Sequence, residues 1–236
     1  MQLPFFYIRD YEASQKEIVL DEDTSKHIVQ VLRIKVGEKI NLTDGKGNIL
    51  TAEIINDHKK HCKVEIIESQ YNSQDERKVS IAISILKNVS RLEWFLEKAT
   101  EIGVQQIIPL ICERTEKEKF RYERMKGILM SAMLQSQQCW LPLLHEPVKF
   151  ENVIMKQFEN GKKFIAHCME DEKQKLNDFP ISKFQNLQIL IGPEGDFTKA
   201  EIELALQHQF IAVSLGDTRL RSETAGMVAA TLLRMI

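Results

Sequence analysis

The chain has 236 residues, 43% of them apolar and 28% charged, and a formal charge of −2. That length suits one small module beside one of catalytic size, and the composition excludes a disordered chain. The charge balance excludes a general field that would attract nucleic acid: residues 1–70 carry ten Lys and Arg against twelve Asp and Glu, and the rest carries twenty-two of each, so any such contact must come from local patches.

The first residues, Met1 to Phe6, show no basic lead, apolar run and small-residue cleavage site, and no stretch reaches membrane-spanning length. A cytoplasmic protein with no membrane partner is expected. Cys62, Cys112, Cys139 and Cys168 stand far apart without a C-x-x-C pair, which argues against structural zinc and against a disulfide framework and predicts buried, reduced thiols. His58, His61 and Cys62 fall in a short polar turn that reads as a hairpin rather than a metal site, so no metal is expected.

Residues 1 to about 70 predict short strands at Phe5 to Ile8, Glu17 to Leu20, Lys39 to Thr43, Ile49 to Ile55 and Lys63 to Glu68, with one short helix over Ser25 to Val31. This is the pattern of a small β-barrel. Asp44-Gly45-Lys46-Gly47-Asn48 supplies the positive φ angles of a hairpin loop, and Ser69 to Arg77 reads as a polar linker. From Val79 onward strand-like runs alternate with helical segments, which predicts an α/β layer on a mainly parallel sheet. Its candidate strands are Val79 to Leu86, Gln106 to Ile111, Lys163 to His167, Leu187 to Ile191 and Ile211 to Leu215. Leu92, Phe95, Leu96, Ala99 and Ile102 form one helical stripe, with Ser90 and Glu93 as its capping box and Gly103 at its end. Thr198 and Glu201 predict a second capping box for a helix over Lys199 to His208, and Glu223 to Ile236 reads as a final helix docked on the sheet.

Two constellations carry chemistry. Ile189-Leu190-Ile191-Gly192-Pro193-Glu194-Gly195 is a buried strand ending in two glycines around a proline and a carboxylate; such a turn lets backbone amides approach a nucleotide-like cofactor, or serves simply as a strand-to-helix connection. One strand later, Leu215-Gly216 leads into Asp217-Thr218-Arg219-Leu220-Arg221-Ser222-Glu223, where Arg221 and Glu223 bracket a Ser at a helix start. There Ser222 and Glu223 also suit plain roles, as N-cap and first-turn acid. Neither a Walker A sequence, nor G-x-G-x-x-G, nor G-x-S-x-G occurs, which removes the usual support for P-loop phosphoryl transfer, ordinary dinucleotide binding and a serine hydrolase.

GPEG followed some twenty residues later by LGDTRLRSETA resembles the signature of the RsmE family, a branch of the SPOUT RNA methyltransferases. Lys26 to Arg33 with Val36-Gly37-Glu38 is similar to that family's barrel motif, and Asp44-Gly45 with Gly47 to its hairpin. Further on, Lys87, Glu93, Lys98, Glu101, Gly103 and Pro109, then Arg114, then Gln135-Ser136 with Pro142, match its later segments in order, so the resemblance covers essentially the whole chain. This chain departs from the family pattern at Gln138 and Thr218, where arginines are usual, and at Asp196, where a glycine is usual.

The resemblance implies an α/β fold in which a trefoil-knotted SPOUT domain, 71–236, follows a PUA/OB-like β-barrel, 1–70. It implies methylation of N3 of a uridine in 16S ribosomal RNA of the small ribosomal subunit, with S-adenosyl-L-methionine as cofactor, by a homodimer joined through Gln135 to Pro142 and the final helix. Cofactor-binding residues would be His167, Ile191, Gly192, Glu194, Gly195, Leu215, Gly216 and Leu220, although His167 also suits a plain strand end. Arg221 would orient the uracil or stabilise its developing charge, and Glu223 would hold Arg221 or accept the proton, with Glu194 as the alternative base. Arg9, His27, Arg33, Lys87, Arg114 and Arg124 would grip RNA. The competing reading is a non-catalytic RNA-binding or ribosome-assembly module.

Overall fold

A computed structural model describes residues 3–158, 160–170 and 173–235. The chain divides into two compact units, Met1–Gln74 with Met133–Leu141, and Asp75–Ala132 with Pro142–Ile236.

In the first unit, β1 (Phe5–Tyr7), β2 (Glu17–Val19), β3 (Lys39–Thr43), β4 (Asn48–Asn56) and β5 (Lys63–Tyr71) form one sheet in the order β1-β3-β4-β5-β2. Alternating residues such as Ile40 and Leu42 on β3, and Leu50, Ala52 and Ile54 on β4, point one way into a core completed by Phe6, Ile18, Ile28 and Val64. β5 runs three residues beyond the predicted Glu68, which shortens the linker. The short helix is longer and less regular than expected. It starts at Glu22 (α1, Glu22–Lys26) because Asp21 caps it, accepting from the Thr24 amide at 2.9 Å, and it continues as a π-helical turn over His27–Val31. Arg33 then takes a positive φ of 57° and ends the turn.

The hairpin between β3 and β4 is built as its sequence predicts. Asp44 accepts from the Lys46 amide at 2.8 Å and from the Asn48 side-chain amide at 2.6 Å, while Gly45 and Gly47 take φ of 68° and 100°. Gly47 is needed for space as well, since a Cβ there would lie 2.6 Å from the Trp140 ring. Trp140 is fixed in turn by donating its indole N–H to the Asn72 carbonyl at 2.9 Å.

The second unit holds β6 (Lys78–Ser84), α2 (Val89–Ile102), β7 (Gln106–Ile111), α3 (Tyr122–Gln135, whose last turn belongs to the first unit), β8 (Leu143–Leu144), β9 (Val148–Lys149), α4 (Phe150–Ile154), β10 (Gly161–Ala166), β11 (Gln174–Lys175), β12 (Asn186–Ile191), α5 (Lys199–Gln207), β13 (Ile211–Ser214) and α6 (Ser222–Met235). The strands make a parallel sheet in the order β11-β13-β10-β12-β6-β7-β8, with β9 also beside β7. Both faces are covered, as a parallel sheet requires. Ala82, Ile108, Leu110, Ile165 and Leu190 pack on one side against Phe150, Phe197 and Ile202 from α4, α5 and the turn before α5. Ile83, of opposite parity, faces Phe95 of α2 and Gly226 of α6.

Two capping predictions met different fates. Thr198 and Glu201 do form a reciprocal capping box on α5, and the other Glu201 oxygen accepts from the Glu113 amide at 2.9 Å. On α2 the cap is Asn88, which accepts from the Ser90 amide at 3.0 Å; Ser90 lies inside the helix, and Glu93 turns to Arg124 instead. Asn88, two residues before the predicted cap, satisfies the orphan amide of Ser90. Gly103 ends α2 with a φ of 88°. The final helix begins one residue early, at Ser222, and Ile236, the predicted end, lies outside the described residues. Of the four cysteines three are buried, and burial pushes the Cys112 thiol up to about 12 and Cys62 to about 11; Cys168 is exposed, because it lies on the loop past the end of β10.

Gly226 lets α6 reach α2. A Cβ there would lie 2.7 Å from Phe95 Cε2, on a ring with no exposed surface to swing into. Gly226→Ala is therefore expected to lower the unfolding free energy by about 1–3 kcal/mol even though alanine favours the helix, read as a lower urea midpoint at unchanged slope.

Candidate active site

Three neighbouring strands, β13, β10 and β12, end level with one another: Ala166 of β10 pairs with Ile191 of β12 on one side and with Val213 of β13 on the other. Because the strands are parallel, the loops that follow all leave from the same edge, the edge where α/β sheets bind ligands. They enclose a cavity of about 610 Å3, joined by Arg91 from α2 and by Lys173. That volume fits a nucleoside-sized ligand, since such sites run from about 300 to 1,000 Å3.

Most of the residues read as cofactor ligands line this cavity. His167 comes from the β10 loop; Ile191, Gly192 and Glu194 come from the β12 loop; Leu215, Gly216 and Leu220 come from the β13 loop, followed by Arg221. Gly216 has a φ of 144° and nothing within 4 Å of where a Cβ would stand, so its backbone conformation calls for glycine. Gly192 serves packing instead: a Cβ there would come within 3.1 Å of the Phe197 amide nitrogen. Gly195 is not on the lining. Its carbonyl accepts from Arg114 Nη1 at 2.7 Å, which pins the back of the turn. Glu194 lines the cavity and also accepts from the Lys87 amide at 3.0 Å, so it ties its own turn to the end of β6.

The expected link between Glu223 and Arg221 is not formed. Arg221 precedes α6, is exposed on the cavity, and makes no side-chain hydrogen bond or ion pair among the described residues. Glu223, in the first turn of α6, is only 7% exposed and turns toward α2, where its Oε1 lies 3.5 Å from Arg91 Nε. Residues two apart at a helix start do not share a face, which explains the divergence. The second Glu223 oxygen, Oε2, is buried without a hydrogen-bond partner among the described residues, and Glu223 is not on the cavity lining. Arg91, Lys173 and Asp196 are lining residues that the sequence did not single out as ligands; only Asp196 left a trace, as a departure from the family pattern.

The basic candidates divide by unit. In the first, Arg9, His27 and Arg33 are all exposed, and Arg33 stands among the exposed apolar side chains Val31, Leu32 and Val36. In the second, each is engaged: Lys87 Nζ lies 2.6 Å from Glu116, Arg114 holds Gly195, and Arg124 Nη2 donates to Glu93 at 3.0 Å. Arg124 holds the Glu93 carboxyl below the usual carboxylate range, and Glu116 holds the Lys87 ammonium above its ordinary value. Among the described residues no helix is long and apolar enough to cross a membrane, and no group of three or more His, Cys, Asp or Glu is placed to hold a metal ion.

The second unit, a parallel sheet with a nucleoside-sized cavity on three adjoining strand ends, and the first, a small β-unit, each match an RNA methyltransferase family model. Residues 73–234 match the family model of an RNA methyltransferase domain, and residues 20–67 that of an RNA methyltransferase PUA domain. The chain belongs to the ribosomal RNA small subunit methyltransferase E family, RsmE. It is 32% identical to a member from Mesomycoplasma hyopneumoniae over 72% of this chain and 75% of that one. It is 27% identical to one from Rickettsia conorii over 98% of this chain and 94% of that one. The crystal structure of the Neisseria gonorrhoeae member bound to S-adenosyl methionine superposes with a TM-score of 0.89 at 28% identity, covering 99% of this chain and 98% of that one.

Proposed function

We propose that this protein transfers the methyl group of S-adenosylmethionine to N3 of a uridine in 16S ribosomal RNA of the small ribosomal subunit. The observation that carries the reading is that the turns at Gly192 and Gly216, separate in sequence, line one cavity at the ends of nearby strands. The cofactor named for the Neisseria relative supports the donor. The cavity fits it in size and in chemistry, with apolar Ile191, Val213, Leu215 and Leu220 beside backbone amides and polar side chains.

Bound there, S-adenosylmethionine would supply an electrophilic methyl group on a sulfonium. His167, Ile191, Gly192, Glu194, Leu215, Gly216 and Leu220 would hold it, with Gly195 acting from behind through its tie to Arg114. Arg221, exposed on the cavity and without a competing side-chain partner among the described residues, would donate to a uracil carbonyl and offset the negative charge that grows on the ring as N3 attacks. Glu223, which lies behind the cavity lining with its Oε2 unpartnered among the described residues, would take the N3 proton through water, and Arg91, on the lining, would keep that buried carboxylate paired. Holding acceptor and donor in line supplies much of the rate in such a transfer.

Arg9, His27 and Arg33 on the first unit would grip RNA backbone, with that unit as the RNA-binding part and the second as the catalytic one, so that Met133–Leu141, expected in the catalytic domain, would belong to the RNA-binding part. Lys87, Arg114 and Arg124 would then contact RNA only by exchanging their present partners. A target base within structured RNA must turn outward to reach such a pocket. Membership of the RNA methyltransferase family supports a C-terminal trefoil knot in the second unit. The protein would act in the cytoplasm as a homodimer joined through α6 and the segment 135–142.

The reading is tested by deleting the gene, mapping methylated uridines in the ribosomal RNA, and restoring with wild-type protein. One uridine should lose N3 methylation on deletion and regain it on restoration. An unchanged methylation map would overturn the reading.

A further inference from the structure

Asp196 is placed where its role reaches beyond its own turn. Its backbone takes a φ of 63°, a left-handed conformation that glycine adopts freely and that Asp and Asn tolerate better than other residues. From there the carboxylate spans two loops. Oδ1 accepts from the amide of Phe197, the next residue, and Oδ2 accepts from the amide of Cys168, 28 residues earlier; both distances are 2.8 Å. Cys168 and Asp196 both line the cavity. One charged side chain therefore joins the loop after β10 to the loop after β12.

Among the described residues the Cys168 loop is tied from two sides. It lies past the last strand pairing of β10, at Ala166, and Cys168 itself is exposed. Lys173 closes it from the other side, donating to the carbonyls of His167 at 2.9 Å and Met169 at 2.6 Å. These side-chain ties to backbone act beside the packing of Met169 against the core. Removing one frees the wall of the cavity without opening the core beneath it, where Phe197 and Ile165 stay fully buried.

We infer that Asp196 is a positioning residue for the methyl donor, holding the Cys168 loop against the Gly192 turn so that the cavity is formed before the donor arrives. This rests on the donor assignment above. Preorganisation of this kind appears as affinity, because an unlocked loop must be ordered on binding. A hydrogen bond from an amide to a charged acceptor contributes enough that its loss is expected to weaken donor binding about tenfold.

The experiment is calorimetric titration of the full-length protein with S-adenosylmethionine, comparing wild type, Asp196→Gly and Asp196→Asn, with thermal melts and steady-state rates alongside. Asp196→Gly relaxes the left-handed backbone while removing the carboxylate, so its melting temperature should hold while the Kd and KM for the donor rise about tenfold and kcat at saturation changes little. Asp196→Asn keeps one acceptor oxygen and should recover part of the lost affinity. Donor affinity equal to wild type in both variants would overturn the inference, as would a loss of melting temperature and kcat with no change in Kd, which marks a purely structural residue. Wild-type protein giving no heat with S-adenosylmethionine would instead overturn the donor assignment, and this inference with it.

Discussion

Replacing Arg221 with alanine is expected to lower methyl transfer by about 10²–10⁴-fold while the Kd for S-adenosylmethionine stays within about twofold of wild type. The expectation follows from position. Arg221 stands on the cavity wall, exposed, outside the regular turns of α6, and contributes no side-chain bond to the fold among the described residues. Its truncation therefore leaves no buried charge unpaired and opens no core cavity, and the loss should be confined to the step in which charge grows on the acceptor ring. Arg221→Lys should recover part of the rate, because a single ammonium can still reach one carbonyl but lacks the planar fork. Single-turnover methylation of ribosomal RNA, with donor affinity measured separately, checks both. Unchanged turnover would remove Arg221 from the mechanism.

How much of this site the sequence displayed depends on the kind of contact. The strands and most helices were legible because their signals are local. Alternation in Ile40 to Ile54, the stripe from Leu92 to Ile102 and the Thr198–Glu201 box each sit within a short window, and each element formed where its window lay. Errors at element starts came from caps competing over a few residues, as with Asn88 against Ser90, or from an unread cap, as with Asp21 ahead of the predicted start at Ser25. The short segments β8, β9, β11 and α4 went unread, being two to five residues long and held by neighbours rather than by their own pattern. The middle helix α3 was not read from its pattern and entered only through Arg124 and its last residue, Gln135, in the family resemblance.

The site itself was legible as two motifs and not as a place. Periodicity shows that Leu187 to Ile191 and Ile211 to Ser214 are strands, yet it does not show that β10 lies between them, since strand order is set by long-range pairing. That adjacency makes one cavity of three loops, and the family resemblance carried it where spacing could not. The same limit hid Arg91. Nothing in the run Asn88 to Trp94 marks its third charged neighbourhood; only the packing of α2 against α6 brings it to Glu223. Asp196 was visible as a departure, but its function as a bridge depends on the Cys168 amide, which sequence distance conceals.

The Arg91–Glu223 pair also yields the second large effect. A carboxylate that is 7% exposed, with one oxygen beside a guanidinium and the other without a partner among the described residues, is costly to bury, and such groups cluster at functional sites. If Glu223 takes the uridine proton, Glu223→Gln keeps the shape and removes the acceptor charge, and methyl transfer should fall by about 10²–10⁴-fold. Arg91→Ala leaves the carboxylate in place but uncompensated, so a smaller loss, about tenfold, is expected together with a lower melting temperature. The double variant should be little worse than Glu223→Gln alone, because the two residues act on one proton transfer and their effects do not add. Glu194→Gln serves as the comparison: Glu194 already accepts from the Lys87 amide, so its substitution should loosen the turn and raise the donor KM more than it lowers kcat. A kcat that survives Glu223→Gln and collapses in Glu194→Gln would move the proton acceptor from the first turn of α6 to the loop after β12.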